Sequence, residues 1–193
     1  TIIGTAAEFV ELAKNTTHVD LSSTVAVTVT GAITAAALTT IANETFGKVT
    51  ATVEGSAAAL QALTTASTDA ITVKVTGTTA TAAQLLAIDK VTSVVVDAKA
   101  VKTITAAAAE VADVTTVLAA KTIAKAADVA VTIIDDVTAL EANSIAKLTT
   151  GVVTATVADA SASYLNSTLK DAKATDALTL TVNGTTATAA DLN

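Results

Sequence analysis

Few residues in this 193-residue chain have the types and spacing that chemistry needs. His18 is the single histidine, and Asp20, Ser22 and Ser23 follow it closely. A nucleophilic site needs a base beside an activated hydroxyl and an acid to orient that base. The segment "HVDLSS" reads instead as a linker with strand-like alternation, and no histidine recurs where the pattern later repeats. Asp135 and Asp136 are adjacent carboxylates at the end of a strand-like run, where paired acids or a cation could be imagined. Their counterparts in an earlier copy of the pattern are Gly31 and Ala32, so Asp136 is read as the start of a helix. No twelve-residue calcium loop occurs. "GTTATAA" has one glycine and no following lysine, unlike a phosphate-binding loop. With no cysteine, disulfides, thiolate nucleophiles and cysteine-based zinc sites are excluded. The chain is therefore expected to be no enzyme and to carry no cofactor or catalytic metal.

The remaining candidates are hydroxyls. Thr28, Thr30, Thr50, Thr52, Thr72, Thr154, Thr156, Thr179 and Thr181 fall at alternate positions of strand-like runs. Stacked strands would align them in rows on an exposed sheet face. Such a face is the expected contact surface for a glycan, a protein or ice. Threonine is also the strand former that tolerates water, which gives the rows a purely structural reading. Sequons at Asn15, Asn43, Asn166 and Asn183 follow from the abundance of threonine and would matter only in a glycosylating secretory pathway.

The bulk composition narrows the setting. Hydrophobic residues make up 51% of the chain, enough to fold, yet only Phe9, Phe46 and Tyr164 are aromatic. Val, Ile, Leu and Ala must fill the interior, which suits thin, regular layers. The formal net charge of -7 is the wrong sign for non-specific binding to nucleic acid or to an anionic membrane surface. No apolar run is long enough to read as a membrane span, because Glu110, Asp113, Lys121 and Lys125 interrupt the Ala-rich stretch. Both ends read as cut from a longer pattern.

The elements that carry the threonines alternate in kind. Val25, Val27 and Val29 oppose Thr28 and Thr30, and the same period of two marks the runs near Val49, Ile71, Val129, Val153 and Leu178. Each run precedes an Ala-rich stretch with helical periodicity. Predicted helix faces are Ile33, Ala37, Leu38 and Ile41; Ala59, Leu60 and Leu63; Leu85, Leu86 and Ile88; and Val137, Leu140, Ile145 and Leu148. Ser56, Thr81, Asp136 and Thr188 are the expected N-caps, and Gly31, Gly55 and Gly77 mark tight exits from strands. Short extra strands are expected at Val19–Leu21 and Val94–Val96.

Strand starts recur every 22 to 25 residues, at Val25, Val49 and Ile71 and again at Val129, Val153 and Leu178. A longer period overlies this one. "TIIGTAAEF" at Thr1 resembles "TITAAAAEV" at Thr103, "VAVTVTG" at Val25 resembles "VAVTIID" at Val129, and "GTTATAA" recurs at Gly77 and Gly184. Helices between strands favour parallel pairing through right-handed crossovers. The expected fold is α/β: a right-handed parallel strand–helix solenoid, leucine-rich-repeat-like in scale, of about eight coils of 22–28 residues. It would be one repeat domain, 1–193, with four-coil blocks 1–102 and 103–193. A single stack of eight strands would be roughly 35–40 Å long. The C-terminal coil is expected to fray or to pair end to end.

The segments "GTTATAAQLLAI" and "VVVDAKAVKTITAAAAEVADV" resemble the Ala/Thr/Val-rich repeats of giant secreted bacterial cell-surface proteins, cyanobacterial ones in particular. The resemblance extends over essentially the whole chain and is one of cadence. It implies a structural or spacer module of a large extracellular or cell-surface protein, adhesin-like, with neighbouring repeats of the same chain as partners. A glycan or protein at the cell surface is the further partner it implies. It transfers no functional residue.

Overall fold

The computed structural model describes residues 1–14, 24–184 and 186–191. His18, Asp20, Ser22, Ser23, Asn15 and the expected strand at Val19–Leu21 lie outside the described residues. The fold is α/β, and the strand pairs among the described residues are parallel.

Two compact units are formed. The first comprises Thr1–Ala80, Gln84–Val101 and Lys121–Lys125; the second comprises Thr81–Ala83, Lys102–Ala120 and Ala126–Asn193. In the first unit the strands are β1 (Ile2–Thr5), β2 (Val27–Thr30), β3 (Val49–Gly55) and β4 (Ala70–Val75). After β5 (Thr79–Thr81), where the chain passes from one unit to the other, come β6 (Val96–Asp97), β7 (Thr103–Ala106) and β8 (Ile123–Ala124). The first sheet has the order β1-β2-β3-β4-β6-β8. The last strands are β9 (Ala130–Val137), β10 (Val153–Ala160) and β11 (Ala177–Val182), and the second unit's strands run β11-β10-β9-β7. The helices are α1 (Ala6–Lys14), α2 (Ala35–Asn43), α3 (Ala57–Leu60), α4 (Ala82–Asp89), α5 (Val111–Ala119), α6 (Ala139–Ala146) and α7 (Ala162–Thr168).

Each expected strand start has its strand, but the strands lie in two sheets and not in one. The reason is local. Between α4 and β9 the coils lengthen: Val96 pairs with Ile123, 27 positions on, against 20 from Ala51 to Ile71. The longer coil accommodates two short strands. β6 and β8 continue the first sheet, whereas β7 and β9, about seven residues further along, belong to the second. The strand expected at Val94–Val96 starts two residues later, at Val96–Asp97.

The alternation does what period two requires. In β3, Val49, Ala51 and Val53 are buried while Thr50, Thr52 and Glu54 are exposed. Ile71, Val73 and Val75 repeat this in β4, and Val153, Ala155 and Val157 in β10. Leu38, Ile41, Leu60, Leu63, Leu85 and Ile88 supply buried helix-side residues in the first unit; Val114, Val117, Ile145 and Leu165 do so in the second. Leu140 and Leu148 depart from the expected face, at 62% and 40% exposed. On α6 the small residues Ala139, Ala142 and Ala146 accompany Ile145 inward, so the helix approaches closely and turns Leu140 out.

Capping follows hydroxyls, with two corrections, at Asp136 and Thr188. Ser56 caps α3 by accepting from Ala59 N–H at 3.2 Å, as expected. Asp136 caps nothing: it is an exposed residue of β9, and the cap of α6 is Thr138. Thr138 Oγ1 accepts from Glu141 N–H at 3.2 Å, and Glu141 Oε2 accepts from Thr138 N–H at 2.8 Å. Thr5 and Glu8 form the same reciprocal box at α1. In both, the backbone N–H first and the hydroxyl second hold the carboxyl below its usual range. Thr34 and Ser161 cap α2 and α7. Thr188 Oγ1 accepts from Asp191 N–H at 3.2 Å in a turn, not in a helix.

Buried polar side chains tie successive strand–helix segments together. Thr45 donates to the Val25 carbonyl at 2.8 Å and accepts from Gly47 N–H at 3.0 Å. Thr92 donates to the Ile71 carbonyl at 2.6 Å and accepts from Val94 N–H at 3.0 Å. Thr149 donates to the Val129 carbonyl at 2.6 Å and accepts from Gly151 N–H at 3.0 Å. Asp69 accepts from Val49 N–H and Ala66 N–H, both at 2.8 Å. Asp176 accepts from Val153 N–H at 2.9 Å and Lys173 N–H at 2.8 Å. The partners Val25, Val49, Ile71, Val129 and Val153 are the strand starts of the sequence repeat. Each is held by a side chain 20 to 23 residues later. Among the described residues, no buried side-chain nitrogen or oxygen lacks a partner.

Candidate functional site

The candidate threonines divide between the units. Thr28, Thr30, Thr50, Thr52 and Thr72 belong to the first, and Thr154, Thr156, Thr179 and Thr181 to the second. Thr28 and Thr156 are half-buried and the other seven are exposed. Strand register decides which of them are neighbours. Thr28 lies beside Thr50, and Thr52 beside Thr72. Thr156 lies beside Thr179.

The rows are short because other residues interrupt them. Thr28 is flanked on its other side by Ile3, and Thr50 by Ala70. Thr30 faces Thr5, but β2 parts from β3 after Thr28, where Gly31 adopts φ +79°. Pairing resumes only at Ile33, opposite Val53. The parting leaves a groove of about 390 Å³ bordered by Val29, Gly31, Ile33, Thr52 and Glu54. Next to the Thr52–Thr72 pair, Glu54 and Lys74 form an ion pair of 3.3 Å with side chains 61% and 58% exposed. At that exposure it contributes at most about 1 kcal/mol.

In the second unit Thr154 continues a row beyond the candidate residues, Thr105–Thr132–Thr154. Its signal in the sequence is the same alternation, since Thr105 and Thr132 also alternate with buried Ile104 and Val131. The row ends at Ala177. Thr156 has Asp136 on its other side, because β9 carries two extra residues between Thr132 and Asp136. That bulge turns Ile134, Asp135 and Asp136 to solvent together. Asp135 accepts from Ala108 N–H at 3.4 Å.

The chemistry of these faces is that of neutral hydroxyls on a pleated surface: donors and acceptors at strand spacing, with few charges. Among the described residues, no three His, Cys, Asp or Glu side chains gather as metal ligands would. Asn43, Asn166 and Asn183 of the sequons are exposed. No described helix is long and apolar enough to cross a membrane. No protein-family model, curated protein or solved structure matches the chain.

Proposed function

We propose that the chain is a structural, spacer-type repeat module of a large extracellular or cell-surface protein, built as a right-handed parallel strand–helix solenoid. One observation carries this reading. The same buried Thr or Asp connection recurs along the chain, each time fastening a residue at or within two positions of the start of a strand, 20 to 23 positions earlier. Parallel register steps of 20 to 27 residues, with helices between, support it further. A device repeated along the chain serves cohesion between coils, whereas a catalytic centre uses a constellation once. In such a stack each unit buries its apolar face on its neighbours, and length is gained by adding coils. The module has no catalytic role and no cofactor, and its partners are neighbouring repeats. The resemblance to repeats of giant secreted bacterial surface proteins supports the extracellular setting. The net charge of -7 argues against nucleic acid as a partner.

A second reading, a carbohydrate-, protein- or ice-binding face, is favoured by the exposed Thr52–Thr72 neighbours beside the groove at Glu54. Glycan arrays, adhesion to cells and thermal hysteresis of the purified chain separate the two. A spacer is retained on no ligand in preference to others and leaves ice growth unchanged. Retention on one ligand that disappears in Thr52→Lys/Thr72→Lys would replace the spacer reading with the binding one.

A further inference from the structure

Asn183–Gly184 is the one asparagine–glycine step in the chain. It stands directly after β11. Asn183 is exposed, and its N–H donates to the Ala160 carbonyl of β10 at 3.0 Å. Gly184 then turns the chain out of the strand with φ +105°. A glycine has no Cβ to shield its own nitrogen. Among the described residues, nothing accepts from Gly184 N–H.

The other described asparagines are placed differently. Asn43, Asn143 and Asn166 lie in α2, α6 and α7. In a helix the following N–H is committed to a carbonyl one turn back, and the side chain leans away from it toward the N-terminus. Glu44 N–H, next to Asn43, bonds the Ile41 carbonyl at 3.2 Å. Asn143 is also held by Asp171 through Oδ1 and Nδ2, at 2.7 and 2.9 Å.

An internal counterpart shows what surrounds this position within a sheet. "GTTATAA" recurs, so Thr76–Gly77 stands where Asn183–Gly184 does. Thr76 N–H donates to the Gly55 carbonyl at 2.8 Å, as Asn183 N–H does to Ala160. β4 is paired on both sides, with β3 and β6. Thr76 is nevertheless exposed, and Gly77 N–H has no acceptor among the described residues. Exposure here is therefore a property of the strand exit and does not depend on the outer side of β11 being open.

We propose that Asn183 is a site of spontaneous covalent modification, in which the chain converts its own asparagine to aspartate and isoaspartate. The Gly184 nitrogen attacks Asn183 Cγ. The N–Cγ bond forms, the Cγ–Nδ2 bond breaks, and Nδ2 leaves as ammonia with the proton from Gly184 N–H. Water then opens the cyclic imide. Cleavage at Cγ gives aspartate; cleavage at the main-chain carbonyl gives isoaspartate, whose backbone is longer by one methylene. Either product puts a negative charge at the exit of β11. Either also consumes the amide that the sequon at Asn183 would offer to a glycan.

The purified chain, held at neutral and at mildly alkaline pH, tests this. Cleavage after lysine and mass spectrometry locate amide loss, and methyl uptake from an L-isoaspartyl methyltransferase scores isoaspartate. Loss at Asn183 is expected to be roughly tenfold or more faster than at Asn43, Asn143 or Asn166, which must await local opening of their helices. It should quicken with pH, because the attacking nitrogen must lose its proton. Asn183→Thr, which installs the counterpart's residue, should remove most of the isoaspartate. Thr76→Asn should add a second site reacting at a comparable rate, and slow helical asparagines in the same sample report that this variant is folded. Amide loss at Asn183 no faster than at the helical asparagines would overturn the proposal. So would a Thr76→Asn chain whose new amide is inert when folded and reactive in urea, since flanking coils would then shield the position.

Discussion

Asp69→Ala is expected to lower the free energy of unfolding by about 3 kcal/mol, with the denaturant slope unchanged. Asp69 is 3% exposed, and its two oxygens accept from Val49 and Ala66 N–H at 2.8 Å. Bonds to a charged acceptor contribute about 1.5–3 kcal/mol each, and alanine would leave the buried Val49 donor with no partner. Asp69→Asn keeps one acceptor oxygen and turns an amide donor toward the other N–H, so its loss should be intermediate. Asp176 holds Val153 and Lys173 in the same way, and Asp176→Ala should behave alike. The exposed Asp135 supplies the control, with an expected change within about 0.5 kcal/mol. Urea titration of the four variants reads the series. Equal effects at Asp69 and Asp135 would show that the connection between coils contributes little.

The second large effect concerns two glycines whose role is close approach. A Cβ at Gly151 would overlap the Asp128 and Val129 carbonyl oxygens, and one at Gly47 would overlap the Val25 carbonyl. Each glycine follows a buried threonine by two residues and donates its N–H to that hydroxyl. Backbone atoms cannot move aside as a flexible side chain can, so Gly151→Ala must push the backbone ahead of β10 away from that ahead of β9. The expected loss is about 3 kcal/mol, at the upper end of overpacking costs. Gly31 tests the cause. Its φ is +79°, but a Cβ there would meet nothing within 4 Å, so Gly31→Ala should cost only about 1–2 kcal/mol of backbone strain. Thermal and urea denaturation of the two variants decide it. A Gly31 variant less stable than the Gly151 variant would show that conformation, not crowding, governs these positions.

Much of this fold is legible in residue types. Period-two alternation locates the strands, because one face must be dry and threonine marks the wet one. The long repeat marks Val25, Val49, Ile71, Val129 and Val153, which are the residues held by buried side chains. The holders themselves are hidden, because threonine is so common here that no single one stands out. Their trace is present in "TFGKV" and "TTGVV", and in "TDAIT" and "TDALT", each directly ahead of a strand. Asp136 misleads because adjacent acids before an Ala-rich run look like a cap. The bulge in β9 extends the strand to Val137 and passes the cap to Thr138, whose Glu141 partner completes a T-x-x-E signature. The division into two sheets depends on where the longer coils around Val96 and Ile123 place their extra residues, which periodicity does not encode. The contact face is a different matter. Alternation puts the threonines outward, but whether they align depends on register. Single interruptions by Ile3, Ala70 and Ala177 cut the rows short.

Native-state hydrogen exchange in increasing low denaturant tests the stack most directly. If each coil is held by its neighbours, opening free energies should rise stepwise inward, from β11 through β10 to β9, with Val153 N–H opening when the Asp176 connection is lost. A single opening free energy shared by the amides of all three strands would mean one indivisible core, and would contradict the account.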